Sequence, residues 1–312
     1  MEPTAHEETQ YLNLIRHILE KGSRETTRNG TTLSTFGYSM RFSLHDGILP
    51  LLTSKKVAWK TCFNELMWFI RGDTDNQLLR EKGVHIWDLN CSREYLDSIG
   101  LNHYEAGREL GPIYGWQWRN FNKEYYTMEE QEERRRLFES GEMTCEEYNV
   151  LDGVDQLQQI IGALKDPERR SSRRLVMTAW NPLQLGQMAL PPCHILSQFH
   201  VRDGKYLSVS LYQRSGDVGL GVPFNIASYS FLTHILAKHC GLEADEFVYF
   251  LGNAHIYEEH ITMLREQLDR PLHEFPRIQI KEAKQNINDY SVEDIEWKTR
   301  YVCGDVIKMV LL

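Results

Sequence analysis

Close cysteine pairs are missing from this sequence. The six cysteines, Cys62, Cys91, Cys145, Cys193, Cys240 and Cys303, are nowhere nearer than 29 residues apart. That spacing excludes a Cys-x-x-Cys metal pair, no metal is expected, and the pattern suits a reducing compartment. Long apolar runs are missing too: nothing approaches the roughly 18 residues of a membrane span. The opening MEPTAHEETQ is polar and acidic, unlike a secretion signal or a transit peptide. These absences predict a cytoplasmic protein, with a nuclear one also compatible. Positive charge is in deficit, with 35 Lys+Arg against 44 Asp+Glu and a net charge of −9, so nucleic acid is not expected as the main ligand. Repeats and Gly/Ser linkers are absent, which predicts one domain over residues 1–312. That length buries a core without disulfides or metals.

The apolar residues that are present fall into clear periods. Residues 7–21 set Tyr11, Leu14, Ile15, Ile18 and Leu19 on one helical stripe that Gly22 ends. Residues 31–44, rich in Thr, Ser and aromatics, read as a strand pair or one strand bent at Gly37. A helix over about 59–71 carries Phe63, Leu66, Met67 and Ile70. The charged run 127–152 reads as an exposed helical insertion. Beyond it come a helix over 154–165, strands over 174–180 and 194–201, and a strand over 206–214 with Leu207, Val209 and Leu211 on one face. A helix over 226–240, a strand over 246–251 and a last helix follow. Strands and helices mixed without regular βαβ alternation predict the α+β class.

Cys193, in LPPCHILSQFHV, follows two prolines and precedes His194. An arbitrary cysteine beside a strand is a buried core residue. A nucleophile needs nearby positive charge to favour its thiolate, and Arg214 at the end of the alternating strand is the candidate source. Arg28 and the Arg173/Arg174 pair are the other notable arginines. Singly, each reads as surface solubility. Gathered on an acidic chain, they suit a small dianion such as a phosphate monoester. Asn225, in GVPFNIASY, reads locally as a helix N-cap. Its other reading is an amide that offers donor and acceptor to a flat polar ring.

Six segments go further: NELMWFIRG (64–72), HIWD (85–88), GPIYGWQWR (111–119), LPPCH (190–194), QRSGDVGLGVPFNIASY (213–229) and GNAHIYEEH (252–260). With them the chain resembles the folate-dependent, cysteine-nucleophile thymidylate synthase family from about residue 10 to 310. The resemblance implies a homodimer packed through mixed sheets, with dUMP as substrate and methylenetetrahydrofolate, a reduced folate, as one-carbon and hydride donor. Cys193 would add to carbon 6 of uracil, and the products would be dTMP and dihydrofolate.

Residue by residue, the resemblance makes Arg214, Ser215 and Arg28 phosphate ligands, with Arg173 and Arg174 reaching across from the other subunit. Asn225 would select uracil over cytosine. His255 and Tyr257 would hold the deoxyribose hydroxyl. Glu65 would shuttle protons near the base, and Tyr114 would assist proton removal from carbon 5. His194 and Gln213 would line the pocket, and Asp217 would accept from the pterin. Ile86, Trp87, Asn90, Leu220, Gly221 and Phe224 would form the folate wall, with Lys55 offering charge to the glutamate tail. Taken alone, Trp87 reads as core and Asp217 as a turn residue.

The sequence departs from the family pattern in three places. The Arg28-Asn29-Gly30-Thr31-Thr32 loop is one residue shorter. Asn253 stands where Asp is usual. The tail YVCGDVIKMVLL replaces Asn-Pro-His-Pro-Thr over Val302 to Val306 and ends in Leu311-Leu312. Because the family's tail excludes water, two alternatives stay open: a dUMP hydroxymethylase of the same fold, and a non-catalytic nucleotide- or RNA-binding relative.

Overall fold

The computed structural model describes residues 6–27, 30–148 and 153–310. In chain order the elements are α1 (Thr9–Lys21), β1 (Ser23–Thr27), β2 (Gly30–Ser43), α2 (Trp59–Arg71), α3 (Gln77–Arg80), α4 (Arg93–Ser98), α5 (Tyr114–Asn120) and α6 (Met128–Ser140). Then come α7 (Cys145–Tyr148), α8 (Gln156–Lys165), β3 (Val176–Thr178), β4 (His194–Arg202), β5 (Tyr206–Asp217) and α9 (Gly221–His239). β6 (Glu243–Tyr257), α10 (Ile261–Leu268), β7 (Ile278–Ile280) and β8 (Ile295–Trp297) complete the chain.

These elements form two compact units. One holds residues 1–63, 163–176 and 193–312, the other residues 64–162 and 177–192. The first unit is built on a sheet of order β1-β2-β6-β5-β4-β3. β2 runs antiparallel to β6, and β4 antiparallel to β5, while β5 and β6 are parallel. The sheet is therefore mixed, as the α+β reading requires. Residues 30–43 form one strand, and Gly37 takes a φ of 81° within it.

Alternation along the strands sends Leu207, Val209 and Leu211 of β5 and Phe247, Tyr249 and Leu251 of β6 inward. α9 covers that face. It is buried from Val222 to Ala237 except at Phe224, as a helix apolar on every side must be. The opposite face of the sheet leaves Tyr212 and Phe250 exposed at 41% and 44%, and these two residues are register partners.

The second unit is mostly helical. Its core gathers Trp68, Phe69, Trp87, Tyr114 and Trp118, with Phe69 central to the group. Gly115 permits this: a Cβ there would stand 2.7 Å from the Phe69 carbonyl oxygen. The charged run folds as α6, where Thr127 and Glu130 form a capping box and no residue is buried. Residues 149–152 of that run lie outside the described residues.

Several element boundaries differ from expectation. The strand expected over 174–180 spans only Val176–Thr178. The strand carrying Arg214 continues to Asp217. The helix expected to begin near 226 begins at Gly221. Pro223 near its start misleads a sequence reading, yet proline is accommodated in a first turn, where backbone N–H groups have no partner within the helix.

Candidate functional site

Cys193 precedes β4, and strand pairing fixes its surroundings. His194 lies opposite Gln213, and the Arg214 N–H donates to the Cys193 carbonyl at 2.9 Å. The expected adjacency of Cys193 and Arg214 on antiparallel strands is therefore present in the backbone. On the other side of β5, the parallel register sets Ser215 beside Asn253 and Asp217 beside His255. Gly252 allows this approach, since a Cβ there would stand 2.7 Å from the Arg214 carbonyl oxygen. Three neighbouring strands thus bring Cys193, His194, Gln213, Arg214, Ser215, His255 and Tyr257 to one end of the sheet.

Neutral hydrogen bonds hold this group. The Tyr249 hydroxyl donates to Gln213 Oε1 at 2.5 Å and lies 3.4 Å from Asn225 Oδ1. Gln213 Nε2 donates to the Ser215 carbonyl at 2.8 Å. Burial drives the His194 imidazole down to about 4, against an upward pull from its hydrogen bond with Asn225, so the ring is neutral at pH 7. His255 is also lowered by burial, while Asp217 and Asn253 pull it upward. The Asn253 side-chain oxygen lies 3.1 Å from His255 Nδ1. The departure at Asn253 thus has a visible consequence. An amide orients His255 without adding a negative charge that would favour the protonated imidazole.

Asn225 is not an N-cap, because α9 begins four residues earlier. The N-cap position is Leu220, which has no side-chain cap, and Asp217 instead closes the turn before the helix: its Oδ1 accepts from the Gly219 and Leu220 N–H groups at 2.8 and 3.2 Å. Asn225 is 9% exposed and is left to face Tyr249 and His194. Leu220, Gly221 and Phe224 form the partly open side of the helix start. Lys55 is 6% exposed and donates to the Gly219 carbonyl at 2.5 Å. Burial lowers its pKa to about 8, with Asp217 and Glu8 pulling it upward. Arg173 and Arg174 lie before β3 with exposed side chains. Arg28 lies outside the described residues.

The second unit holds the remaining expected residues. Glu65, on α2, accepts a hydrogen bond from the Trp87 indole at 2.8 Å. Burial raises its pKa to about 7, against a downward pull from Trp87. That value suits proton exchange near neutrality. Tyr114 lies 4.8 Å from Phe69 and 6.0 Å from Trp87 between ring centroids. Ile86 and Asn90 flank the buried Trp87 with part of their surfaces open. Among the described residues, no group of three or more His, Cys, Asp and Glu is placed to hold a metal.

Sequence reasoning did not single out Tyr249. The signal was available, since alternation along VYFLGNAH places it inward with Phe247 and Leu251. What periodicity could not give was its partner on the neighbouring strand β5, the Gln213 amide.

A thiol set before a strand, an arginine paired to it along the backbone and a buried amide near a helix start suit an enzyme that works through a covalent thiol adduct. Comparison with known proteins makes this specific: the chain belongs to the thymidylate synthase family, whose family model matches residues 9–311. It is 47% identical over 294 residues to thymidylate synthase 1/2 of Encephalitozoon cuniculi, covering 93% of this chain and 92% of that one. It is 48% identical over 293 residues to human thymidylate synthase, covering 93% and 86%. It is also 48% identical over 309 residues to a bifunctional dihydrofolate reductase-thymidylate synthase of Leishmania major, covering 98% of this chain and 55% of that protein. The chain thus spans just over half of this bifunctional relative.

Proposed function

We propose that this protein methylates dUMP to dTMP, using methylenetetrahydrofolate as donor of both the carbon and the hydride and releasing dihydrofolate. The observation that carries this reading is the ladder pairing of Cys193 with Arg214, next to Gln213, Ser215 and Asn225. The Cys193 thiolate attacks carbon 6 of uracil, and carbon 5 then attacks the folate one-carbon unit. Arg214 and Ser215 hold the phosphate, joined by Arg28. His255 and Tyr257 hold the sugar hydroxyl. Asn225, braced by Tyr249, reads the uracil edge. Glu65 relays protons, and Tyr114 assists loss of the proton from carbon 5. Leu220, Gly221 and Phe224, with Ile86, Trp87 and Asn90, pack the folate. Asp217 accepts from the pterin, and Lys55 supplies positive charge for the glutamate tail of the folate.

The functional unit is a homodimer in the cytoplasm. The exposed pair Tyr212 and Phe250, on the sheet face opposite α9, supports covering by a second copy. Exposed Arg173 and Arg174 are free to serve the other copy's phosphate. The test is to mix the protein with dUMP and methylenetetrahydrofolate, follow dihydrofolate absorbance, and weigh the nucleotide. dTMP with stoichiometric dihydrofolate is expected. A hydroxymethylated nucleotide without dihydrofolate, or bound nucleotide without turnover, overturns the reading. Sedimentation at micromolar concentration checks the dimer.

A further inference from the structure

Glu8 is 0% exposed, and among the described residues no cation pairs with it. A carboxylate so placed must have donors for both oxygens. Two successive residues supply all four. Thr53 N and Oγ1 donate to Oε2 at 2.7 and 2.6 Å, and Ser54 N and Oγ donate to Oε1 at 2.9 and 2.5 Å. Glu8 therefore clamps one side of residues 53–54.

The tail occupies the other side. The Gly304 N–H donates to the Thr53 carbonyl at 2.8 Å. Arg270 Nη1 bridges the Ser54 carbonyl at 3.3 Å and the Asp305 carbonyl at 2.8 Å. Gln267 Nε2 donates to Ser54 Oγ at 2.8 Å. The next residue, Lys55, reaches the Gly219 carbonyl in the turn before α9. The tail meets that same turn again farther along. A Cβ on Gly219 would stand 3.0 Å from Met309 Sδ, and His260 Nε2 lies 2.8 Å from the Val310 carbonyl. Segment 53–55, the tail and the 217–220 turn thus form a closed circuit of contacts, rooted in Glu8 and bridged by Arg270.

We propose that Glu8 and Arg270 are positioning residues that set the tail against the 217–220 turn, and so decide whether hydride or water reaches the one-carbon intermediate. The inference rests on the proposed reaction. In the productive branch, hydride forms the third C–H bond of the methyl group, tetrahydrofolate is oxidised to dihydrofolate, and the Cys193 thiolate is expelled. In the leak, water oxygen bonds the exocyclic methylene and its proton goes to solvent. The same thiolate leaves, and the folate stays reduced.

The test uses the full chain, with Glu8→Gln and Arg270→Gln made separately. Glu8→Gln turns an amide donor toward groups that are themselves donors. Arg270→Gln cuts the bridge and the neighbouring ion pair of Arg270 with Glu266, and with the Arg270 side chain 20% exposed and that of Glu266 63% exposed it tests the idea even if Glu8→Gln does not fold. Each variant receives dUMP and methylenetetrahydrofolate, and the ratio of hydroxymethyl-dUMP to dTMP is read by mass. The ratio is expected to rise about tenfold, with folate KM rising about tenfold and dUMP affinity within about twofold of the parent. Folded variants with the parent's product ratio and folate KM overturn the inference. So does a uniform loss of kcat at an unchanged ratio, which marks a merely structural role. A parent that makes no dTMP defeats the proposed reaction itself, and that failure is visible before any variant is compared.

Discussion

The strand-built group around Cys193 and the helix-built group around Glu65 are held by opposite means. In the first, strand register does the positioning, and nearly every polar side chain meets a neutral partner: Tyr249 with Gln213, Gln213 with Ser215, Asn253 with His255. In the second, one carboxyl has one indole partner amid rings. Burial lowers His194 and raises Glu65, yet both shifts have one cause, the cost of charge in a poorly solvated place. The imidazole becomes a fixed neutral fixture, whereas the carboxyl becomes a group that exchanges its proton near pH 7. Binding and covalent work suit the first environment, and proton traffic suits the second.

The largest effect should come from Cys193→Ala. Turnover is expected to fall by at least about 10⁴-fold, with nucleotide binding retained. The check is dihydrofolate formation, together with loss of the covalent adduct from the mass spectrum. Retained turnover would break the comparison at its root, because the strand-built group would then hold no nucleophile.

Glu65→Gln should follow, lowering kcat by about 10²–10⁴-fold and removing the pH-profile limb near 7. The same variant tests the cause of the shift. The ordinary carboxyl value is 4.5, and folding raises Glu65 to about 7. Between those values the folded chain holds a proton that the unfolded chain releases. The contribution is therefore complete below 4.5 and is lost as pH rises through about 7. The loss is on the order of 1–3 kcal/mol. Urea unfolding at pH 5 and pH 8 should show the variant gaining on the parent only at pH 8. An equal difference at both pH values would show that burial does not set the Glu65 proton affinity.

Much of the strand-built group was legible because it follows from period and pairing. Alternation in 206–214 and the neighbouring strand over 194–201 were enough to place Arg214 beside Cys193, which the ladder bears out. Helix 59–71 was also visible in full from its apolar spacing. What failed was local capping chemistry. Asn225 reads as a cap because Asx residues favour helix starts, but α9 begins four residues earlier with Leu220 at its N-cap, and Asp217 closes the turn just before it. The long-range bonds failed for another reason. Tyr249 with Gln213, and Lys55 with Gly219, join residues 36 and 164 positions apart, and no periodicity encodes such partners. The raised pKa of Glu65 likewise depends on burial, which the family resemblance implied as a role but local sequence did not show.

Two substitutions sharpen the neutral side of the comparison. Asn225→Asp should relax the preference for dUMP over dCMP by about 10–100-fold in kcat/KM, since the two bases exchange donor and acceptor at that edge. Tyr249→Phe removes the hydroxyl that braces Gln213 and faces Asn225. It should cost about 1 kcal/mol of stability and raise nucleotide KM several-fold, to about fivefold. Steady-state kinetics with both nucleotides read the two variants together. Unchanged base preference in Asn225→Asp would remove that residue from base selection.

The smallest effect concerns a single added charge. Asn253→Asp places a carboxylate where an amide oxygen now lies 3.1 Å from His255 Nδ1. Burial lowers the imidazole pKa at present, and an adjacent anion favours the protonated ring, so His255 should titrate higher. NMR titration of the His255 ring checks this directly. If the value rises, the strand-built group has been shifted toward the charged condition of its counterpart. The proposed sugar contact of His255 should then gain a pH dependence. If the value stays low, desolvation outweighs the new charge, and the neutrality of this group is a property of its burial rather than of the amide at 253.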